Sequence, residues 1–181
     1  AAAARLYHDA GIPPGVFQVI HGDGLVGNVL IHEDVDHICF TGSAEVGQHV
    51  RKVAAESWHK TTSCEMGSKS SCIVFDDANV DMAVDAAVAS AFKLSGQRCV
   101  SSGRMIVQRS IYDQFADKFV AKARDIETGN PFNDDGDTWT KTVNRDTYYG
   151  PIINEQGVDK VLKYNEMVCD DPEATVLLRG E

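Results

Sequence analysis

The feature that most narrows the fold is a repeated succession: a short apolar run, a small-residue break, then a stretch of helical periodicity. Asp36-His-Ile-Cys-Phe-Thr41 reads as a buried strand, Gly42 and Ser43 as a turn, and Ala44 to Ser57 as an amphipathic helix. Upstream, Val16, Phe17, Val19 and Ile20 predict a strand that ends at the glycines of His21-Gly-Asp-Gly-Leu-Val-Gly27, with a helix start beyond. Downstream, a third unit begins at Lys60, and Ser71-Cys-Ile-Val-Phe75 predicts a strand closed by Asp76 and Asp77. Val80, Ala83, Val84, Ala87, Val88 and Ala91 then recur at three- and four-residue spacing, which predicts a helix to about Leu94, capped by Asn79 or Asp77. Arg104 to Gln108 predicts another strand, and Ile111 to Ile126 a helix with Phe115, Phe119 and Val120 inward. Strands alternating with helices imply an α/β fold built on a parallel sheet.

The flanking segments are less regular. Ala1 to Ala10 is a run of helix formers stopped by Gly11, Pro13, Pro14 and Gly15. Between Gly129 and Gly150 periodicity disappears into an acidic stretch, and loops of that length are functional, inserted or mobile. Glu155 to Val168 predicts a helix, and Thr175 to Leu178 a last strand.

Composition excludes several classes. With 17 Lys and Arg against 27 Asp and Glu, the formal charge of −10 argues against nucleic acid or an anionic membrane as partner. No apolar run approaches the roughly 20 residues that span a bilayer, and Ala1 to Ala10 lacks the order of a signal peptide. Five cysteines, Cys39, Cys64, Cys72, Cys99 and Cys169, form an odd set without a Cys-x-x-Cys pair. Neither a disulfide framework nor a zinc site is expected, and reduced thiols point to the cytoplasm.

Three short segments could carry chemistry. In Phe40-Thr-Gly-Ser-Ala-Glu-Val-Gly47 the strand turns into a helix, so backbone N–H groups and the helix dipole can face a phosphate. A Gly-Ser turn alone is more often a plain cap, and Gly22, Gly24 and Gly27 could serve only to turn the chain. Gly96-Gln-Arg-Cys99 sets a thiol just after a glycine break, with Arg98 beside it, where thiolate can be stabilised; a lone cytosolic cysteine is more often inert core. Glu65, in Cys64-Glu-Met-Gly-Ser-Lys69, has small neighbours that let a carboxylate turn toward a cavity, although an acid alone is more often solvated or ion-paired.

The order of these segments resembles the aldehyde dehydrogenase superfamily. Phe-Thr-Gly-Ser-x-x-Val-Gly, then Glu-Met-Gly-Ser-Lys, Gly-Gln-Arg-Cys and Gly150-Pro-Ile-Ile-Asn154 follow in the family's sequence, as do Ala10-Gly-Ile-Pro-Pro-Gly-Val16 and Phe75-Asp-Asp-Ala-Asn79. The likeness covers almost the whole chain and is weakest from Asp134 to Tyr148. It implies a three-layer αβα fold with a parallel sheet, incomplete at both ends. Residues 1–67 would be the C-terminal part of a Rossmann-like dinucleotide domain, and 68–181 the N-terminal part of the catalytic domain.

The resemblance also implies a reaction, the oxidation of an aldehyde to a carboxylic acid with NAD or NADP. Cys99 would attack the carbonyl, its backbone N–H would help hold the oxyanion, hydride would pass to the nicotinamide, and Glu65 would activate water to hydrolyse the thioester. Gly24, Gly42, Ser43, Val46 and Gly47 are carried over as cofactor contacts, with Phe40, Met66 and Gly67 beside the nicotinamide. Lys69 matches a family lysine whose role is structural.

Family members are well over twice this length. The upstream Trp-Asn segment, the ribose-binding lysine and the downstream Glu-x-Phe-Gly-Pro segment have no counterpart in these 181 residues. The fragment by itself is therefore expected to be inactive, its full-length parent a cytoplasmic homo-oligomer acting on a small aldehyde. Ser68 replaces a family glycine beside Glu65. A dehydrogenase fold kept as a silent binding or structural protein is the alternative, and a redox-sensing thiol a third.

Overall fold

The regular elements of the computed structural model, described for residues 2–133 and 143–179, alternate largely as the periodicity predicts. The chain divides into two compact units, Ala1–Met66 and Gly67–Glu181.

In the first unit α1 (Ala2–Asp9) ends at Gly11, whose φ of +84° is a left-handed turn that glycine adopts without Cβ strain. Helix α2 (Gly24–His32) starts on Asp23, whose carboxylate accepts the Leu25 N–H at 2.9 Å. At its other end the Lys60 ammonium donates to the carbonyls of Ile31 and Glu33, at 2.9 and 2.8 Å, placing a cation on the negative pole of the helix. Strand β1 (His37–Gly42), helix α3 (Ala44–Ala54) and strand β2 (Thr61–Met66) form a β-α-β crossover. The strands run parallel, from His37 opposite Thr61 to Gly42 opposite Met66. Period-two alternation sends Ile38, Phe40 and Cys64 onto the core of Ile31, Val50 and Val53.

The second unit repeats the crossover with β3 (Ser70–Val74), α4 (Val80–Phe92) and β4 (Ser102–Val107). Helix α4 is capped by Asn79, not Asp77: the Asn79 side-chain oxygen accepts the Met82 N–H at 3.1 Å. The parallel ladder jumps from Ser70 opposite Ser102 to Ser71 opposite Arg104, so Gly103 is the extra residue of a bulge. Val74, Val84, Ala87 and Phe115 make the core, with Met105, Val107, Ile111 and Phe119 around them. Helix α5 (Tyr112–Arg124) is tied to α4 by two successive ion pairs, Lys118 with Asp81 and Lys122 with Asp85. Helix α6 (Glu155–Cys169) begins on Asn154, which accepts the Gly157 N–H at 2.9 Å.

Two expectations are corrected. Val16 to Ile20 forms no strand: the Val16 N–H closes a turn onto the Pro13 carbonyl, and no other strand pairs with the segment among the described residues. Thr175 to Leu178 likewise lacks a ladder partner and is irregular. Thr61 to Met66 is a strand as well, despite its polar Thr, Thr and Ser: β1 supplies its ladder, and only alternate side chains are partly buried. Within the long acidic stretch, residues 134–142 lie outside the described residues; its flanks are joined by bridges between Thr128 and Tyr149 and between Phe132 and Val143.

Two outcomes follow from the second unit. Val84 is 0 % exposed, so Val84→Ala, which deletes about two methylenes and leaves a cavity, should lower unfolding free energy by about 2–3 kcal/mol in urea titration. The Lys118 ammonium, by hydrogen bond and by charge, lowers the Asp81 pKa below its ordinary 3.8. A carboxyl whose folded pKa is depressed adds stability above its unfolded pKa and loses it as pH falls through the folded value. Asp81→Asn should therefore be slightly less stable than the parent at neutral pH, with the difference fading in melts below about pH 4.

Candidate active site

The first unit gathers most of the predicted cofactor residues at the C-terminal ends of its two strands. Parallel pairing puts the last residues of β1 and β2, Gly42 and Met66, side by side, and Ser43 starts α3 at that same edge. The Ser43 hydroxyl accepts the Val46 N–H at 3.3 Å and its carbonyl accepts the Gly47 N–H at 2.9 Å. Of the four N–H groups that a helix start leaves over, those of Ala44 and Glu45 have no acceptor among the described residues. They form a donor pair at the positive pole of α3.

Two glycines there lie close against neighbouring side chains. A Cβ on Gly42 would lie 2.5 Å from Cζ of Phe40, and one on Gly47 would lie 2.5 Å from Sδ of Met66 and 3.3 Å from Cε1 of Phe40. Phe40, Met66, Gly42 and Gly47 thus form one close-packed group behind the helix start. Gly24 is different: it opens α2, and a side chain there would meet open space. In the same loop it is Gly22 whose Cβ would collide, with Val26 at 2.3 Å.

Glu65 is the penultimate residue of β2, opposite Thr41. Alternation turns it away from Cys64 and Met66, and its side chain is exposed. Its carboxylate has no hydrogen bond or ion pair among the described residues, a carboxylate uncommitted to any structural partner. Gly67 opens the second unit, and Lys69 lies just before β3. The Lys69 carbonyl accepts two bonds from the Arg104 guanidinium, at 3.1 and 2.6 Å, which pins the start of β3 to β4. A Cβ on Gly103 would sit 3.0 Å from Cδ of Lys69, so the bulge passes against this side chain.

Cys99 occupies a turn between the end of α4 and β4, half-buried and reduced. Three left-handed residues precede it: Leu94 and Ser95, both with φ +55°, and Gly96 with φ +66°. For the two non-glycines this conformation costs about 1–2 kcal/mol each, and it persists only where surrounding contacts over-determine it. Ser95 supplies one such contact, its hydroxyl donating to the Gly150 carbonyl at 3.1 Å and accepting the Gly150 N–H at 3.0 Å. The turn closes with the Ser101 N–H on the Arg98 carbonyl at 3.1 Å. The Cys99 N–H has no acceptor among the described residues, which leaves a backbone donor beside the sulfur. An open depression of about 320 Å³ lined by Thr128, Gly129, Asn130, Tyr149, Gly150 and Pro151 includes neither Cys99 nor Glu65.

The sequence offered no reason to single out Ser90, Ser95, Ser102 or Arg104. Serine in an Ala-rich helix or a small-residue turn carries no signal until the partner oxygen or N–H is known. No group of three metal-ligating side chains occurs among the described residues, and none of their helices is long and apolar enough to cross a membrane.

Comparison with known proteins gives the same family that the motifs resemble. Residues 1–181 match the model of the aldehyde dehydrogenase family. Among solved structures, the chain is similar to gamma-glutamyl-gamma-aminobutyraldehyde dehydrogenase from Burkholderia cenocepacia, with 37% identity and a TM-score of 0.80 over 91% of this chain and 32% of that one. Betaine aldehyde dehydrogenase from Staphylococcus aureus, solved in complex with NAD+, is 32% identical with a TM-score of 0.83 over 98% of this chain and 33% of that one. An Escherichia coli enzyme described as NADP dependent is 35% identical with a TM-score of 0.85, over 99% and 35%. The chain spans about a third of the length of these relatives. By its motifs, its parallel β-α-β units and the match over its full length, the chain belongs to the aldehyde dehydrogenase family.

Proposed function

We propose that this chain carries the nucleophile and the general base of an enzyme that oxidises a small aldehyde to its carboxylic acid with NAD or NADP. The observation that carries the reading is Cys99: a reduced thiol, in a strained turn held by specific hydrogen bonds, next to its own unspent backbone N–H. Inert core cysteines need none of these features.

The residues at the start of α3 fit a dinucleotide. The free N–H groups of Ala44 and Glu45 at the positive helix pole suit a phosphate, and Gly42, Ser43, Val46 and Gly47 would border it. Gly24 joins this set from the start of α2, and Phe40, Met66 and Gly67 would flank the nicotinamide. When bound, the oxidised nicotinamide accepts two electrons and a hydrogen from the aldehyde carbon. The rest belongs to this chain. Cys99 reacts as the thiolate, its proton passed to Glu65 and on to solvent. The sulfur forms a bond to the carbonyl carbon, the C=O π pair moves to oxygen, and that oxygen takes a hydrogen bond from the Cys99 N–H. The acyl group left on sulfur is a thioester, a good leaving-group arrangement. Glu65, with no competing ion pair, takes a proton from the water that attacks it, returning Cys99 and releasing the acid. In this reading Ala1–Met66 belongs to a cofactor domain and Gly67–Glu181 to a catalytic domain.

Five free thiols and a charge of −10 support a cytoplasmic protein that engages neither nucleic acid nor membrane. The full-length parent is read as a homo-oligomer. Because the 181 residues amount to about a third of each relative's length, the isolated segment should bring too few site walls for turnover.

The test is made in the full-length protein, with reduced cofactor followed by absorbance and the protein by intact mass. Cys99→Ala should show no aldehyde-dependent reduction of cofactor and no acyl adduct. Glu65→Gln should release about one equivalent of reduced cofactor and then slow by about 10²- to 10⁴-fold, with the acyl group still on Cys99. Full activity of Cys99→Ala would overturn the reading. Cofactor binding without any adduct in the parent would favour the silent binding protein. The 181-residue segment assayed alone should show no activity above background.

A further inference from the structure

We propose that Ser90, on the last turn of α4, is a positioning residue for Cys99; this rests on the reading of Cys99 as the nucleophile. One residue grips the nucleophile turn on both sides. Downstream of Cys99, the Ser90 hydroxyl pairs with the Ser102 hydroxyl at 2.7 Å and accepts the Ser102 N–H at 3.3 Å. Upstream, the Ser90 carbonyl accepts Nη2 of Arg98 at 3.4 Å. All three bonds are partly buried, so water competes for them weakly.

The turn has few other anchors. Nε of Arg98 and the hydroxyl of Ser101, which is 9 % exposed, are buried without a partner among the described residues. The Ser101 N–H only closes the turn on itself, onto the Arg98 carbonyl. Upstream, the left-handed residues Leu94 and Ser95 are held by the Gln97 N–H on the Leu94 carbonyl, at 3.0 Å, and by the pair of bonds between Ser95 and Gly150. A strained segment with so few ties takes its shape from those it has. Removing the Ser90 hydroxyl frees the Ser102 N–H and hydroxyl together, and β4 then no longer fixes where the turn enters. Cys99 keeps its chemistry but loses its place. Misplacing a reacting atom by about 1 Å costs on the order of 10²-fold in rate, whereas substrate affinity set elsewhere is unchanged.

The experiment compares Ser90→Ala, Ser102→Ala, the double variant and Ser90→Thr in the full-length protein, with Cys99→Ala as control. The two single alanine variants should lower kcat about 10- to 100-fold with KM within about twofold and a thermal midpoint close to the parent's. The double variant should be no worse than Ser90→Ala, because that substitution already removes both bonds to Ser102, the hydroxyl pair that Ser102→Ala breaks among them. Ser90→Thr, which keeps the hydroxyl, should recover most of the loss. Iodoacetamide labelling of Cys99, read by peptide mass, should slow in Ser90→Ala and recover in Ser90→Thr. Parent-like kcat in Ser90→Ala, additive losses in the double variant, or Ser90→Thr no better than alanine would each overturn the proposal. If Cys99→Ala is itself active, the reading of the nucleophile fails instead, and the two failures are distinguished.

Discussion

Parallel strand pairing is the constraint on which the rest of the structure depends. A chain that has just completed a strand stands at the wrong end of the sheet to begin a parallel neighbour, so it must cross back through a helix. Strands β1 and β3 therefore each end where a helix is about to start. The last carbonyls of β1, the cap Ser43 and the first N–H groups of α3 occur together for that reason. The same rule puts β4 after α4 and forces a connecting turn between them, where Cys99 lies.

Within that frame, close approach decides residue identity. A larger residue at Gly47 would have to displace the Met66 side chain, and one at Gly42 the ring of Phe40. Gly103 is the odd residue in a bulge against Lys69, whose carbonyl the neighbouring Arg104 holds. These contacts make a motif of glycines and one aromatic ring a statement about shape before it is one about ligands.

Much of this was legible in the sequence, for identifiable reasons. Helices α3, α4 and α5 announce themselves because burial on one face imposes a three- and four-residue rhythm, and polar caps such as Asn79 and Asn154 mark where helices start. Strands β1 and β3 are short apolar runs. Strand β2 was hidden because a strand buried on one face shows apolar residues only at alternate positions, and Thr and Ser filled the others. Val16 to Ile20 misled for the opposite reason: a strand-like composition produces no strand without a partner. Motif order made Cys99, Glu65 and Ser43 visible. The serine contacts around Cys99 were not, since a hydroxyl's importance lies in a partner brought from elsewhere in the chain.

The left-handed turn before Cys99 has a consequence for how this segment could change over generations. Leu94 is 67 % exposed and its side chain contributes no core packing, yet its backbone occupies a conformation suited to glycine or asparagine. Substitution to either would relax the chain and raise stability. It would also widen the range of shapes open to the turn. Under the proposed reading of Cys99, a sturdier chain and a well-aimed sulfur then pull this position in opposite directions.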